Sequence, residues 1–266
     1  MVATVNFARM PSVETDEREA RAAAAGGAEK RAYVKRIFSE IAPRYDLLNH
    51  LLSLNIDRRW RTSAIAALGW ERRADGVYLD LCAGTMDLSV ALASRNGFEG
   101  AVVAADFAEP MLRAGRDKVA RMRVHPVAAD ALQLPFSSGR IAGALVAFGI
   151  RNVMDLDAAL RELKRVIADD GTLVILEFST PRSRAVRLVY HAYFHVVLPL
   201  VGRLVSGHPT AYRYLPRSVA SFPVEEELAL RIRRAGFAAV SWRSLTFGIA
   251  ALHVARIERA TAGAAA

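Results

Sequence analysis

Apolar residues recur along this chain in two rhythms. Near-continuous apolar runs at 77–82, 101–106, 124–129, 141–148 and 172–178 predict strands, and helical spacing over 87–95, 109–121 and 155–168 separates most of them. Strands of that kind alternating with helices predict a parallel sheet covered on both faces. Upstream, Val34, Ile37, Phe38 and Ile41, then Leu47, Leu48, Leu51 and Leu52, follow helical spacing, and Pro43 breaks the run, so 33–68 predicts a helical preface. Gly171, after Ala168-Asp169-Asp170, predicts the close of a helix and a turn into the fifth strand. Residues 181–222 interrupt the alternation with an Arg-, His- and aromatic-rich insertion. A helix over 224–235, ending at Gly236, then leads into strands 238–246 and 248–257, a terminal hairpin. The expected organisation is a flexible segment 1–30, one domain over 31–258, and a loose tail 259–266.

The first predicted strand carries the most telling chemistry. Its apolar run ends in Asp80, and a small-residue loop, Ala83-Gly84-Thr85, leads at once into a helical segment. Gly84 permits close backbone approach to a ligand, and a new helix turns unpaired N–H groups toward it. The second strand ends in Asp106, 22 residues beyond Gly84, a distance suited to a carboxylate that grips a ribose diol. Neither a G-x-G-x-x-G loop nor a Gly-x-x-x-x-Gly-Lys-Ser/Thr loop is present. A carboxylate at the end of the first strand repels a pyrophosphate and attracts a cation. S-adenosylmethionine has an amino group, a sulfonium and a ribose, and no phosphate, so the loop reads as a methyl-donor site.

Charge and cysteine content narrow the setting. Lys and Arg exceed Asp and Glu, 36 against 27, for a net charge of +9. That balance attracts anionic partners such as nucleic acid, a membrane surface or an acidic substrate, or is simply a solvated Arg-rich surface. One cysteine, Cys82, excludes an internal disulfide framework and fits a reducing compartment; its place at a strand end suits a small core residue. The first 30 residues lack the apolar stretch of a signal peptide. The most apolar long segment, Tyr190–Gly202, is short of the roughly 20 residues a membrane helix needs, and Pro199 interrupts it. The expectation is a cytoplasmic protein, at most peripheral to the inner face of the membrane.

An ordered series of segments resembles the ubiquinone/menaquinone biosynthesis C-methyltransferase family, and most closely its demethylmenaquinone methyltransferases. It comprises Phe38–Asn49 with Leu52-Ser53 and Trp60, Asp80–Asp87 with Asp106 and Glu109–Leu112, and Asp130–Phe136. Phe148–Val153, Arg165 through Gly171 to Ser179, Tyr212–Ser218 and Phe222-Pro223 complete it, so that the resemblance covers roughly 33–257. It implies an α/β fold, the seven-stranded doubly wound sheet of the class I S-adenosylmethionine-dependent methyltransferases. It also implies C-methylation of a polyprenylated quinol, with demethylmenaquinol as acceptor and a ubiquinone precursor as a further candidate. Three positions depart from the family pattern: Met86 replaces a second glycine, Asp57 a common histidine, and Ala147 a frequent serine. A left-handed backbone at Met86 would cost about 1–2 kcal/mol.

Roles follow from the resemblance together with the residue types. Asp80, Gly84 and Thr85 are assigned to the cofactor's methionine end, Asp106 to the ribose hydroxyls, and Asp130 with the Ala131 N–H to the adenine edge. A ring carbon attacks a sulfonium methyl only when a neighbouring hydroxyl loses its proton, so the enzyme must align the partners and assist that proton. Arg151 and Asn152, just past the fourth strand, are the candidates to bind or polarise a quinol oxygen. Tyr45 and Asn49, four residues apart, are candidates to close the site from the helical preface. His191, His195 and His208 lie in the insertion without a carboxylate or cysteine beside them, and carbon methylation requires no metal, so a metal site is not expected. Segment 185–205, apolar with basic edges, is a candidate shelter for an isoprenoid tail or a membrane contact, or else a core or dimer-packing helix. Two other classes remain open at this stage. A nucleic-acid methyltransferase suits the charge, but the basic residues are dispersed and no Asn/Asp-Pro-Pro-Tyr/Phe segment is present. A non-catalytic relative of the fold is the second, with Met86 as its one hint.

Overall fold

The apolar runs pair into one seven-stranded sheet. A computed structural model describes residues 28–42, 53, 55–193 and 209–258. Strands β1 (Val77–Leu81), β2 (Ala101–Asp106), β3 (Val124–Ala128), β4 (Ile141–Ala147), β5 (Ile167–Phe178), β6 (Ala239–Leu245) and β7 (Ala250–Arg256) lie in the order β3-β2-β1-β4-β5-β7-β6. The first five run parallel, and β7 enters antiparallel between β5 and β6 as the predicted hairpin. Order reverses at β1, which pairs with both β2 and β4. In such sheets ligands bind beyond the carboxyl ends of the strands at that switch point.

Helices α1 (Ala28–Ile41), α2 (Ile56–Leu68), α3 (Asp87–Ala93), α4 (Glu109–Ala114), α5 (Arg116–Val119), α6 (Leu156–Val166), α7 (Arg184–Ala192), α8 (Pro209–Ala220) and α9 (Glu225–Arg234) surround the sheet. Strand alternation splits the core in two. Tyr78, Leu145, Val174 and Leu176 meet Trp60, Ala64, Ile65 and Leu68 of α2 and Leu88 and Leu92 of α3. Leu79, Leu81, Val146 and Ile175 meet Leu160, Leu163 and Val166 of α6 and Leu228 and Ile232 of α9. Each of these aliphatic side chains contributes about 1.5–3 kcal/mol when fully buried. Asp155 starts α6 by accepting the Ala158 N–H at 2.9 Å.

Two boundaries differ from the sequence reading. Helix α6 stops at Val166, not near Gly171, because Ile167 already pairs with Ile141 in the sheet. The register then jumps to Gly143 opposite Thr172, so 168–171 bulge outward and Gly171 lies inside β5. The expected helix over 109–121 breaks at Gly115, where an added Cβ would come within 2.2 Å of the Thr85 carbonyl oxygen. Only glycine lets this segment pack against the loop that follows β1.

Candidate functional site

A cavity opens at the switch point, about 770 Å³ when the open space at its mouth is counted. Leu81, Cys82 and Gly84 from the end of β1, Asp106 and Phe107 from β2, Asp130 and Ala131 after β3, and Phe148, Gly149 and Asn152 after β4 form its walls. Helix α1 covers it with Arg31, Val34 and Phe38.

Asp106 organises the floor. One carboxylate oxygen accepts the Gly84 N–H and the other the Ala108 N–H, both at 2.8 Å. Burial raises the Asp106 carboxyl above its ordinary value, and those N–H groups oppose the rise. Each oxygen keeps a lone pair for a further donor, which suits a vicinal diol. Gly84 lines the cavity as expected, but its N–H serves Asp106 rather than a ligand. Met86 has a left-handed backbone (φ 67°), and Cys82 (φ 58°) and Phe148 (φ 59°) share that conformation. Cys82 and Phe148 line the cavity, and non-glycine residues held in that conformation mark a strained, over-determined loop set. The Met86 side chain is fully buried in the α2–α3 side of the core, not on the cavity wall.

Asp80 is placed differently from expectation. It shares the parity of Tyr78 along β1, so it points under α3 and accepts the Ser89 hydroxyl at 2.6 Å. It does not line the cavity, and burial pushes its carboxyl up to about 6. Thr85 is also buried outside the lining, packed at the Gly115 break. Asp130 and Ala131 do line the cavity. The Asp130 carboxylate accepts the Leu132 N–H at 3.0 Å and pairs with Arg31 at 3.0 Å across the mouth. Burial, then the nearby carboxylates of Asp106, Glu177 and Asp80, push the Cys82 thiol well up, so Cys82 is an unreactive wall residue.

Beyond β4 the two candidates separate. Asn152 lines the cavity, and its amide oxygen accepts the Tyr214 hydroxyl of α8 at 3.2 Å. Arg151 lies behind the wall and does not line the cavity, so the expected direct contact with an acceptor oxygen is not formed by this packing. Its guanidinium donates to Glu177 at 2.6 Å, to the Phe148 carbonyl, and to Ser218 at 3.3 Å, and lies over the Phe178 ring. Sequence reasoning missed three contributors. Lys30, placed in the flexible segment, starts α1 and donates to the Arg151 and Val153 carbonyls, each at 2.9 Å. Burial, then the Arg151 charge, lowers its ammonium. Arg31 and Glu177 are the others. A signal existed for two of them: Lys30 shares the helical phase of Val34, Ile37 and Ile41, and Glu177 is the lone charge in the apolar run 172–178. Tyr45, Asn49, His195, His208, the His191 side chain and most of the apolar segment after Tyr193 fall outside the described residues. No cluster of potential metal ligands occurs among the described residues.

The donor set fits S-adenosylmethionine: carboxylates without a phosphate cradle, a diol-ready Asp106, and a second acid beside a small apolar slot at Ala131 and Leu132. Comparisons with known proteins agree. Residues 27–256 match the model of the ubiE/COQ5 methyltransferase family. The demethylmenaquinone methyltransferase of Thermus thermophilus is 51% identical over 221 residues, covering 82% of this chain and 98% of the relative. The ubiquinone/menaquinone biosynthesis C-methyltransferase UbiE of Geobacter sulfurreducens is 42% identical over 229 residues, covering 85% and 88%. Among solved structures, a SAM-dependent methyltransferase of Thermotoga maritima superposes with a TM-score of 0.57 at 17% identity, over 83% of this chain and 98% of that one. Phosphoethanolamine N-methyltransferase 2 of Haemonchus contortus gives 0.52 at 13%, over 70% and 49%. The two structural likenesses are likenesses of fold alone.

Proposed function

The chain belongs to the ubiE/COQ5 methyltransferase family, and from that premise we propose that it methylates a ring carbon of demethylmenaquinol to give menaquinol. It is an S-adenosylmethionine-dependent C-methyltransferase of menaquinone biosynthesis. The observation that carries this reading is the Asp106–Gly84 pairing at the floor of the cavity, set in a chain half identical to a demethylmenaquinone methyltransferase.

When bound, S-adenosylmethionine supplies an electrophilic methyl group on a positively charged sulfur. Asp106 receives the ribose hydroxyls, and Asp130 with Ala131 receives the adenine edge. The buried charge of Asp80 acts on the methionine end from beneath the loop that carries Thr85. Helix α1 excludes water through Val34 and Phe38. Asn152 is the polar group on the wall after β4, and it orients the acceptor's oxygen. Arg151, one residue back, favours the ionised oxygen electrostatically, a type of contribution commonly worth about 10²–10³ in rate. Tyr45 joins this set as a group that closes the acceptor side. A polyprenylated acceptor is confined to membranes, so we place the working enzyme at a membrane surface. Leu188 of α7 (73% exposed) and Phe247 in the β6–β7 turn (81% exposed) are its apolar contact points.

The test is methyl transfer from labelled S-adenosylmethionine to two reduced acceptors, a demethylmenaquinol and a demethoxyubiquinol-type benzoquinol. Product from the naphthoquinol is expected, and product from both makes the enzyme dual-pathway. No product from either, with cofactor binding intact, overturns the assignment.

A further inference from the structure

Glu177 lies near the end of β5, 2% exposed, and is the one buried charged residue of that strand. A carboxylate there is costly unless its lone pairs are filled. It accepts the Arg151 guanidinium at 2.6 Å, the Arg151 N–H at 3.4 Å and the Phe178 N–H at 2.9 Å. Burial raises its carboxyl above the ordinary value, and Arg151 with the Phe178 and Arg151 N–H groups opposes the rise, three donors that suit the ionised form. Replacing the Glu177–Arg151 pair as a whole by apolar side chains of similar size would serve packing as well or better, since buried ion pairs are weak sources of stability. The pair therefore calls for a reason other than stability.

Its position supplies one. Arg151 precedes Asn152, the polar residue on the cavity wall, and the turn carrying both is held from every side. Glu177 grips the Arg151 backbone and side chain together, Ser218 and the Phe148 carbonyl take further guanidinium donors, and Lys30 fixes the Arg151 carbonyl. Among the described residues, Nη2 is the guanidinium nitrogen left without a hydrogen bond. The charged and titratable groups among the described residues that face the pair are Lys30 from α1, Tyr190 from α7, Tyr214 from α8 and Cys82 at the end of β1. Lys30 and Arg151 together exceed Glu177 by one positive charge. We propose that Glu177 is a positioning residue for methyl transfer. Its carboxylate fixes the Arg151–Asn152 turn, and its charge limits how strongly Arg151 draws an ionised oxygen to the wall. This rests on the quinol reading given above.

Glu177→Gln and Glu177→Asp test the two roles. Glutamine removes the charge and turns one acceptor oxygen into a donor, so it weakens the grip on the turn as well; aspartate keeps the charge and shortens the reach. Full-length wild type and both variants are assayed for S-adenosylmethionine binding by calorimetry and for kcat against pH with a reduced demethylmenaquinol in detergent micelles. Glu177→Gln is expected to bind the cofactor within about threefold of wild type and to lose about ten- to hundredfold in plateau kcat. With Arg151 uncompensated, an ionised acceptor is favoured, so the acidic limb of the profile moves down by about one pH unit. Glu177→Asp returns the limb to its wild-type place while plateau kcat stays reduced. A profile unchanged in position for Glu177→Gln, or equal losses in cofactor binding and kcat, overturns the proposal. Should the glutamine variant not fold, an aspartate variant with wild-type plateau kcat overturns it equally. A wild type that methylates no quinol overturns instead the functional reading beneath it.

Discussion

Asp80 shows how one side chain can be legible in kind and misread in direction. Its place at the end of the first strand was plain from the apolar run, but β alternation sends it under α3 to Ser89. Parity with Tyr78 held that information; the motif alone did not. Because burial pushes its carboxyl from an ordinary 3.8 up to about 6, the folded state holds a proton that the unfolded chain releases. Stability is unaffected below the ordinary value, falls as pH rises between the two values, and stays lowered above the upper one, by about 3 kcal/mol. Asp80→Asn keeps an acceptor for Ser89 and removes the charge. Its unfolding free energy is expected to exceed wild type by about 2–3 kcal/mol at pH 8, with the gap closing by pH 3.5. Urea titrations at the two pH values measure this, and a constant gap would remove the ionisation argument. Met86 tests strain against packing. Glycine there relieves about 1–2 kcal/mol of left-handed backbone strain but empties a fully buried methionine site, a loss of about 2–5 kcal/mol. Met86→Gly should therefore be less stable, by roughly 1–3 kcal/mol in a denaturant titration. A more stable variant would mean that the strain outweighs the packing.

Helix α1 is the element whose task was least visible in the sequence. Its apolar face was clear from Val34, Ile37 and Ile41, yet its first turn fell within a stretch read as loose. Lys30 and Arg31 reach partners far along the chain, and no local pattern encodes a contact of that span. Together they tie the helix to the loops after β4 and β3, on either side of the cavity it covers. Hydrogen bonds from charged donors contribute about 1.5–3 kcal/mol each, so Lys30→Met should leave the helix undocked for much of the time. Cofactor affinity then falls in proportion to the docked fraction, about tenfold for a helix docked a tenth of the time. Calorimetry with S-adenosylhomocysteine reads this directly, and limited proteolysis within α1 should accelerate in parallel. Unchanged affinity would show that the roof is held by its apolar face alone. Conversely, the strands were legible almost to the residue, since a parallel sheet buried on both faces leaves near-continuous apolar runs. The start of β5 was not, because Ile167 changes from helix end to strand through a pairing with Ile141 that lies outside its own neighbourhood.

At the scale of the whole molecule, no helix among the described residues is long and apolar enough to cross a membrane. The proposed contact is instead a local one. Leu188 and Phe247 belong to neighbouring features: the glycine after Phe247 packs against Pro181 and the backbone of Arg182, just before α7. Exposed apolar tips beside Arg184 and Arg187 suit an anionic lipid surface. Wild type should co-sediment with phosphatidylglycerol vesicles, less so at high salt, and the Leu188→Ser/Phe247→Ser pair should lose most of that binding. Equal binding by the double variant would move the contact elsewhere. The architecture also dictates when the site can exist during synthesis. Lys30 leaves the ribosome long before its partners, which lie 121 and 123 residues further on. At roughly 5–20 residues per second, α1 waits about 6–24 s for these partners. The nascent chain therefore cannot retain the methyl donor until β4 has emerged, and α1 is a natural client for a holding chaperone.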